Sequence, residues 1–302
     1  ASPAAYTFGL VRGHSLSSPE MLEVVERVRA RGLIEEIDLE QKRELSDSVL
    51  RYLHARIAPL GTAFILVLCD DQTESKRVDA VRRDFVANVS HELKTPVGAI
   101  SLLSEAIGDA AEDEEAVRRF AARLGVESRR LSALVQDIIE FSRLQAKDVV
   151  QDGGPVDLNA VVADAVDRLR LTAEDRGIAL RVGGRVDAVV HGDQDQLMTA
   201  VRNLVDNAIR YTPAGGQIDL WVDQRSTEVV MAVQDDGPGI PADQHDRVFK
   251  RFYRLEQSRY TPGNGLGLSL VAAVASLHGA RIELRDNTPG LLFRLVFPAT
   301  ET

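Results

Sequence analysis

The chain has 302 residues and a formal net charge of −10, from 36 Lys and Arg against 46 Asp and Glu. That acidic balance argues against a general nucleic-acid coat and a basic membrane-surface protein, and a length of this order suggests about two domains. The single cysteine, Cys69, excludes a disulfide framework, and the longest apolar run, Ala63 to Cys69, is far short of the roughly 20 residues of a bilayer span.

With no signal peptide visible, a soluble protein of a reducing compartment is expected. Residues 1 to about 70 read as mixed α/β. Pro19 to Arg31 is predicted helical, with Met21, Val24, Val25 and Val28 on one face. Val49 to Leu60 and Thr62 to Cys69 read as two strands turning at Pro59-Leu60-Gly61. Asp71-Gln72-Thr73-Glu74 then caps a helix over Ser75 to Val89.

The helical signal runs on. Phe85, Val89, Leu93, Pro96, Ile100, Leu103 and Ile107 recur at spacings of three and four, one apolar stripe. After a polar turn at Gly108 to Glu115, a second stripe follows: Val117, Phe120, Leu124, Leu131, Leu134, Ile138 and Phe141, with Glu127 as its one polar position. Two such helices form an antiparallel αα-hairpin, and one hairpin covers its own seam poorly. A homodimeric four-helix bundle is therefore expected. Pro96 predicts a break in the first helix, because it has no N–H for the Glu92 carbonyl.

Gln151-Asp152-Gly153-Gly154-Pro155 reads as a linker. Beyond it, helices are predicted over Leu158–Ala173, Asp193–Arg210 and Leu266–His278. Strands are predicted over Ile178–Val182, Ala188–His191, Gln217–Val222, Glu228–Val233, Arg281–Arg285 and Leu291–Phe297. That order gives an α/β sandwich, a mixed sheet with helices on one face.

His91 stands two residues from both Val89 and Leu93, about 200° of helix rotation, so it faces solvent. The stretch Phe85-Val86-Ala87-Asn88-Val89-Ser90-His91-Glu92-Leu93-Lys94-Thr95-Pro96 resembles the phospho-acceptor box of sensor histidine kinases. The resemblance implies that His91 is autophosphorylated. An imidazole suits this task, since one ring nitrogen is nucleophilic while the other carries the proton. The carboxylate of Glu92 is the candidate to hold that proton. Thr95 matches the position that in this family orients water for dephosphorylating the partner, and a solvated hydroxyl is the alternative for it.

Three further clusters follow in order. Asn203-Leu204-Val205-Asp206-Asn207-Ala208-Ile209-Arg210-Tyr211 lies on a helix, with Asn203 and Asn207 on one face. Asp235-Asp236-Gly237-Pro238-Gly239-Ile240 ends a strand. Gly263-Asn264-Gly265-Leu266-Gly267-Leu268 precedes a helix, where exposed N–H groups attract anions. The order resembles the nucleotide boxes of the ATPase fold shared by histidine kinases, gyrase, Hsp90-type chaperones and mismatch-repair ATPases. Phe249-Lys250-Arg251-Phe252-Tyr253-Arg254 is similar to the phenylalanine box of histidine kinases specifically.

Carried over, the resemblance implies ATP and Mg²⁺ as cofactors. Asn207 would bind the metal, supported by Asn203. Tyr211 would pack near adenine, Arg210 near the phosphates, and Asp235 would accept from the adenine amino group. Gly237 and Gly239 would open a mobile lid, and Gly263, Gly265 and Gly267 would cradle phosphates. Phe252, Arg254 and Leu266 complete the cofactor-binding set. One departure is the Asn287-Thr288-Pro289-Gly290-Leu291 turn, with one glycine where the family has a Gly-x-Gly pair.

The N-terminal segment resembles the tail of a PAS domain, and Tyr6 to Ser18 is similar to actinobacterial phosphate-responsive sensor kinases. The expected layout is 1–73 PAS-like sensor segment, 74–84 helical signalling linker, 85–148 dimerisation and phospho-acceptor hairpin, 149–154 linker, and 155–302 ATP-binding domain. The expected partners are a second copy and a response-regulator receiver domain, with no nucleic acid. The start at Ala1 and the missing span read as a cytoplasmic fragment of a protein tethered to the inner face of the cell membrane. Two other classes compete: a gyrase- or chaperone-like ATPase clamp, and a dimeric scaffold with a dead nucleotide domain. Asn203, a poor base where clamps carry a carboxylate, argues against the first. Intact Asn207, Asp235 and Gly265 argue against the second.

Overall fold

A computed structural model describes residues 1–42, 50–61, 63–144, 153–184, 188–225, 227–256 and 263–299. The chain divides into two compact units, Ala1–Ala87 and Asn88–Thr302.

The first unit opens with a short helix α1 (Pro3–Thr7) and a two-stranded pair, β1 (Val11–Arg12) with β2 (Ser15–Leu16). Helix α2 (Pro19–Arg31) starts where predicted: the Ser18 hydroxyl accepts from the Met21 N–H, Pro19 sits in the first turn, and Gly32 ends the helix in the left-handed conformation. Three strands, β3 (Glu35–Lys42), β4 (Leu50–Leu60) and β5 (Phe64–Asp71), form an antiparallel sheet in the order β3-β4-β5. The period-two alternation decides its faces. Leu39, Leu53, Ala55 and Ile57 join Met21, Val24 and Val28 of α2 in one buried cluster. The β4–β5 turn falls at the expected place, pairing Leu60 with Phe64 around Gly61, while Val49 and Thr62 lie outside the described residues.

Helix α3 (Thr73–Asp109) begins on a cap: the Asp71 carboxylate accepts from the Thr73 N–H at 2.9 Å, and the Thr73 hydroxyl accepts from the Tyr52 N–H at 2.9 Å. The expected break at Pro96 does not occur. The helix runs through this buried proline as one element, because a single lost N–H leaves the flanking turns bonded. It also outlasts the predicted end at Ile107, turning only after Asp109. Asp113 restarts the chain as α4 (Glu114–Leu144), its carboxylate accepting from the Ala116 N–H at 3.0 Å. The apolar positions of both stripes are buried or half-buried, and the flanking positions are mostly exposed.

The segment read as a linker contributes a strand. β6 (Gly154–Asp157) pairs antiparallel with β8 (Val189–Gly192), so Gly154 and Pro155 are sheet residues, while Gln151 and Asp152 lie outside the described residues. The main sheet has the order β11-β12-β10-β9-β7, from β7 (Ala179–Gly183), β9 (Gln217–Arg225), β10 (Glu228–Asp235), β11 (Arg281–Asp286) and β12 (Leu291–Pro298). All its pairs are antiparallel except β7 with β9. Helices α5 (Leu158–Asp175), α6 (Gln194–Tyr211) and α7 (Gly267–Leu277) pack side by side against it, the expected α/β sandwich. Their apolar faces meet the sheet through Leu158, Leu197, Ile209, Ile218, Leu220 and Leu270, all fully buried.

Candidate active site

His91 is exposed on α3, as its offset from the apolar stripe requires, and Glu92 beside it is half-buried. Thr95 stands one turn on, and its hydroxyl donates to the His91 carbonyl at 3.5 Å, a local helix bond. Buried Pro96 anchors that turn on the apolar side.

The second group of residues converges on a cavity of about 1050 Å³. It lies among the C-terminal half of α6, the end of β10, and the segment before α7. Asn203, Asn207, Arg210 and Tyr211 line it from α6, Asp235 from β10, and Gly239 just beyond. Arg254, Gly263, Gly265, Leu266 and Gly267 close it.

The glycines here stand in close approach to their neighbours, and at Gly265 the neighbour is backbone that cannot give way. A Cβ on Gly267 would stand 3.0 Å from the Asn203 Oδ1 and 3.5 Å from the Asn207 Nδ2, so the start of α7 is pressed onto the asparagine face. A Cβ on Gly263 would meet the Arg210 Nη1 at 2.5 Å, and one on Gly265 would meet the Phe252 backbone at 2.7 Å. The Asn203 Nδ2 donates to the Thr199 carbonyl at 2.8 Å, which turns its oxygen towards Gly267. Arg210 is held by Asp206, one turn before it, at 2.5 Å.

Gly237 and Phe252 do not line the cavity; each works one layer behind it. The Gly237 N–H donates to the Asp235 carboxylate at 2.8 Å. Phe252 adopts φ 61°, rare for a side chain of its size, and its N–H donates to the Gly265 carbonyl at 2.9 Å. The turn read from the sequence as a phenylalanine box thus clips the glycine-rich turn from outside. Gly290 has a comparable role: a Cβ there would overlap the Asp235 carbonyl, so the departing turn keeps the glycine it needs.

Burial pushes the Asp235 carboxyl above the usual carboxylate range. The N–H groups of Gly237 and Leu291 pull it back down, and Asp236 adds to the upward push. A half-buried acceptor at a strand end, beside a roomy cavity, suits a donor on a planar heterocycle.

His91, Glu92 and Thr95 are not among the residues that line this cavity. Another helix of the hairpin does reach it. Asp137 of α4 lines the wall and accepts from the Asn264 Nδ2 at 2.9 Å. Glu140 receives the Arg202 Nη2 at 2.7 and 2.8 Å, and the Arg251 guanidinium stacks 4.4 Å from the Phe141 ring centre. Sequence reasoning passed over Asp137 and Glu140 because charged residues on a helix flank are normally solvated. Their spacing from Phe141, which is apolar, was the available signal.

A helical hairpin bearing an exposed histidine, followed by an α/β sandwich with an asparagine helix and glycine-rich turns, defines a class: histidine kinases of the two-domain kind. The comparisons agree. Residues 81–147 match the His Kinase A (phospho-acceptor) domain, and residues 192–301 match the histidine kinase-, DNA gyrase B-, and HSP90-like ATPase. The sensor-like histidine kinase SenX3 of Mycolicibacterium smegmatis is 44% identical over 238 residues, 78% of this chain and 62% of that protein. The phosphate regulon sensor protein PhoR of Pseudomonas aeruginosa is 32% identical, over 79% of this chain and 54% of its own length. The crystal structure of histidine kinase ThkA in complex with response regulator protein TrrA superposes with a TM-score of 0.62, covering 98% of this chain and 90% of that one at 20% identity, a likeness of fold. The chain belongs to the two-component sensor histidine kinases. It spans about three-fifths of the length of its first relatives. Among the described residues no helix is long and apolar enough to cross a membrane.

Proposed function

We propose that the protein binds ATP in the α6–α7 cavity, phosphorylates His91, and passes the phosphoryl group to an aspartate of a response-regulator receiver domain. The observation that carries this is the conjunction, in one chain, of an exposed His91 beside Glu92 and a cavity where Asn203, Asn207, Arg210 and Asp235 meet three glycines.

The residues suit the group they would hold. Asp235 accepts from the adenine amino group, and Tyr211 packs nearby. Backbone N–H groups from Gly263 to Gly267, together with Arg210, take the phosphates. Asn207, backed by Asn203, offers a hard amide oxygen to Mg²⁺, which neutralises phosphate charge when bound. The work of such a site is positioning and charge neutralisation. At His91 an unprotonated ring nitrogen forms the N–P bond as the bond from the γ-phosphorus to its bridging oxygen breaks. ADP leaves with that electron pair, and Glu92 holds the proton on the other ring nitrogen. Asn203, an amide already bonded to Thr199, is no base for water, which weighs against a clamp-type ATPase.

The half-exposed seam of α3 and α4 supports a homodimer, and Thr95 beside His91 supports a second, phosphatase activity on the regulator. The antiparallel β3-β4-β5 sheet with α2 on one face supports a PAS-like reading of residues 1–73. The remaining layout follows the sequence: a helical linker over 74–84, the phospho-acceptor hairpin over 85–148, and an ATP-binding domain from 155. A cytoplasmic site of action, tethered to the inner face of the cell membrane, belongs to the same proposal, and the likeness to sensor proteins is what supports it.

The test is His91→Gln incubated with γ-labelled ATP. Acid-labile label disappears while ATP binding persists. Undiminished label on that variant would overturn the assignment of His91.

A further inference from the structure

Three consecutive positions on one face of α4 hold three different pieces of the nucleotide domain. Asp137 takes Asn264, the residue between the two left-handed glycines of the phosphate-binding turn. Glu140 takes Arg202, the neighbour of Asn203 on α6. Phe141 lies under Arg251 of the turn that clips Gly265. Residues three and four apart share a helix face, so these contacts act together.

One of the three enters the cavity itself. Asp137 lines the same space as Asn203, Asn207 and Arg210. Its carboxyl is half-buried, and burial together with the nearby Glu140 charge pushes it up, while Asn264, Arg202 and Arg210 oppose that push. Arg210 is the cation proposed above for the phosphates, so the field that should meet phosphate is already offset by a carboxylate from α4. A second anion brought into this half-dry corner is repelled by the first.

We propose that Asp137 is an electrostatic gate of the nucleotide site, a residue on the phospho-acceptor hairpin that opposes the phosphate chain while holding Asn264. The inference rests on the ATP reading of the cavity. It makes nucleotide affinity depend on how the hairpin presents α4. A shift of α4 that withdraws Asp137 admits ATP, and one that seats it expels ADP.

The test is the affinity of the full chain for adenosine, ADP and a non-hydrolysable ATP analogue in the presence of Mg²⁺. Asp137→Asn keeps an acceptor for Asn264 and removes only the charge. Its expected effect is tighter binding that grows with phosphate number: none for adenosine, and about tenfold for the ATP analogue, the size of one charge interaction across a partly wet site. Asn264→Ala, which frees the carboxylate from its partner, leaves a phosphate-dependent penalty in place. A purely structural role for Asp137 changes all three affinities alike or weakens them, and either result overturns the gate. A wild-type chain that binds none of the three overturns the ATP reading itself.

Discussion

Gly265 leaves the glycine-rich turn before α7 no room for a side chain. Its φ of 70° disfavours any L-residue, and a Cβ would press on the Phe252 and Tyr253 backbone at 2.7 to 2.9 Å. Gly265→Ala is therefore expected to cost about 1 to 3 kcal/mol and to weaken ATP binding by more than about tenfold. A nucleotide titration with a parallel thermal melt checks it, and unchanged affinity would contradict the assignment of this turn. Asp235 gives a prediction with opposite signs for stability and binding. Its folded carboxyl holds a proton to higher pH than the unfolded one, so the ionised form destabilises the fold above the folded-state value, and stability rises as pH falls through it. Asp235→Asn should raise the melting temperature near neutral pH, retaining an acceptor for the Gly237 N–H, while ATP affinity collapses. A lower melting temperature with intact ATP binding would reverse that account.

Between elements, buried His278 fastens the end of α7 to the start of α6. Its Nε2 accepts the Asp193 N–H at 3.1 Å, which fixes the remaining proton on Nδ1, donated to the Val274 carbonyl at 2.8 Å. Burial holds its pKa below the usual value of 6.5, so the folded ring stays neutral while the unfolded one charges. Stability is full above about pH 6.5 and falls as pH drops below it. His278→Gln should flatten that slope between about pH 7 and 5 in melts, and lower stability at neutral pH by losing one of the two bonds. An unchanged slope would place the titrating group elsewhere. The same elements explain what could be read in advance. The stripes of α3 and α4 and the alternation of β9 announce themselves because burial selects every third, fourth or second residue. Strand β3 does not: Glu35, Glu36, Asp38 and Glu40 leave only Ile37 and Leu39 as an apolar signal on a half-solvated edge strand. β6 was hidden by Gly154 and Pro155, turn formers that an edge strand tolerates. The glycine boxes named the cavity, but the α4 wall was invisible, since its charges meet partners 62 and 127 positions away.

For the molecule as a whole, the hairpin seam is unfinished. Ile100, Leu103, Ile107, Val117, Phe120 and Leu124 are only half-buried in a single chain, a stripe that a second copy would cover at roughly 25 cal/mol per Å². Leu103→Glu should convert a dimer to a monomer in sedimentation equilibrium and abolish label transfer if one subunit serves the other. A wild-type monomer would remove the four-helix bundle from the proposal. The dimer would also carry Pro96 twice, once on each α3. A helix is a stack of springs in series, and its stiffness against bending is set by the weakest rung. Pro96 removes the rung to the Glu92 carbonyl, beside the histidine proposed as phospho-acceptor, without ending the helix. A missing rung lowers the local resistance to bending, so bending of α3 is expected to concentrate in the turn from Glu92 to Pro96, the turn that opens with His91's neighbour.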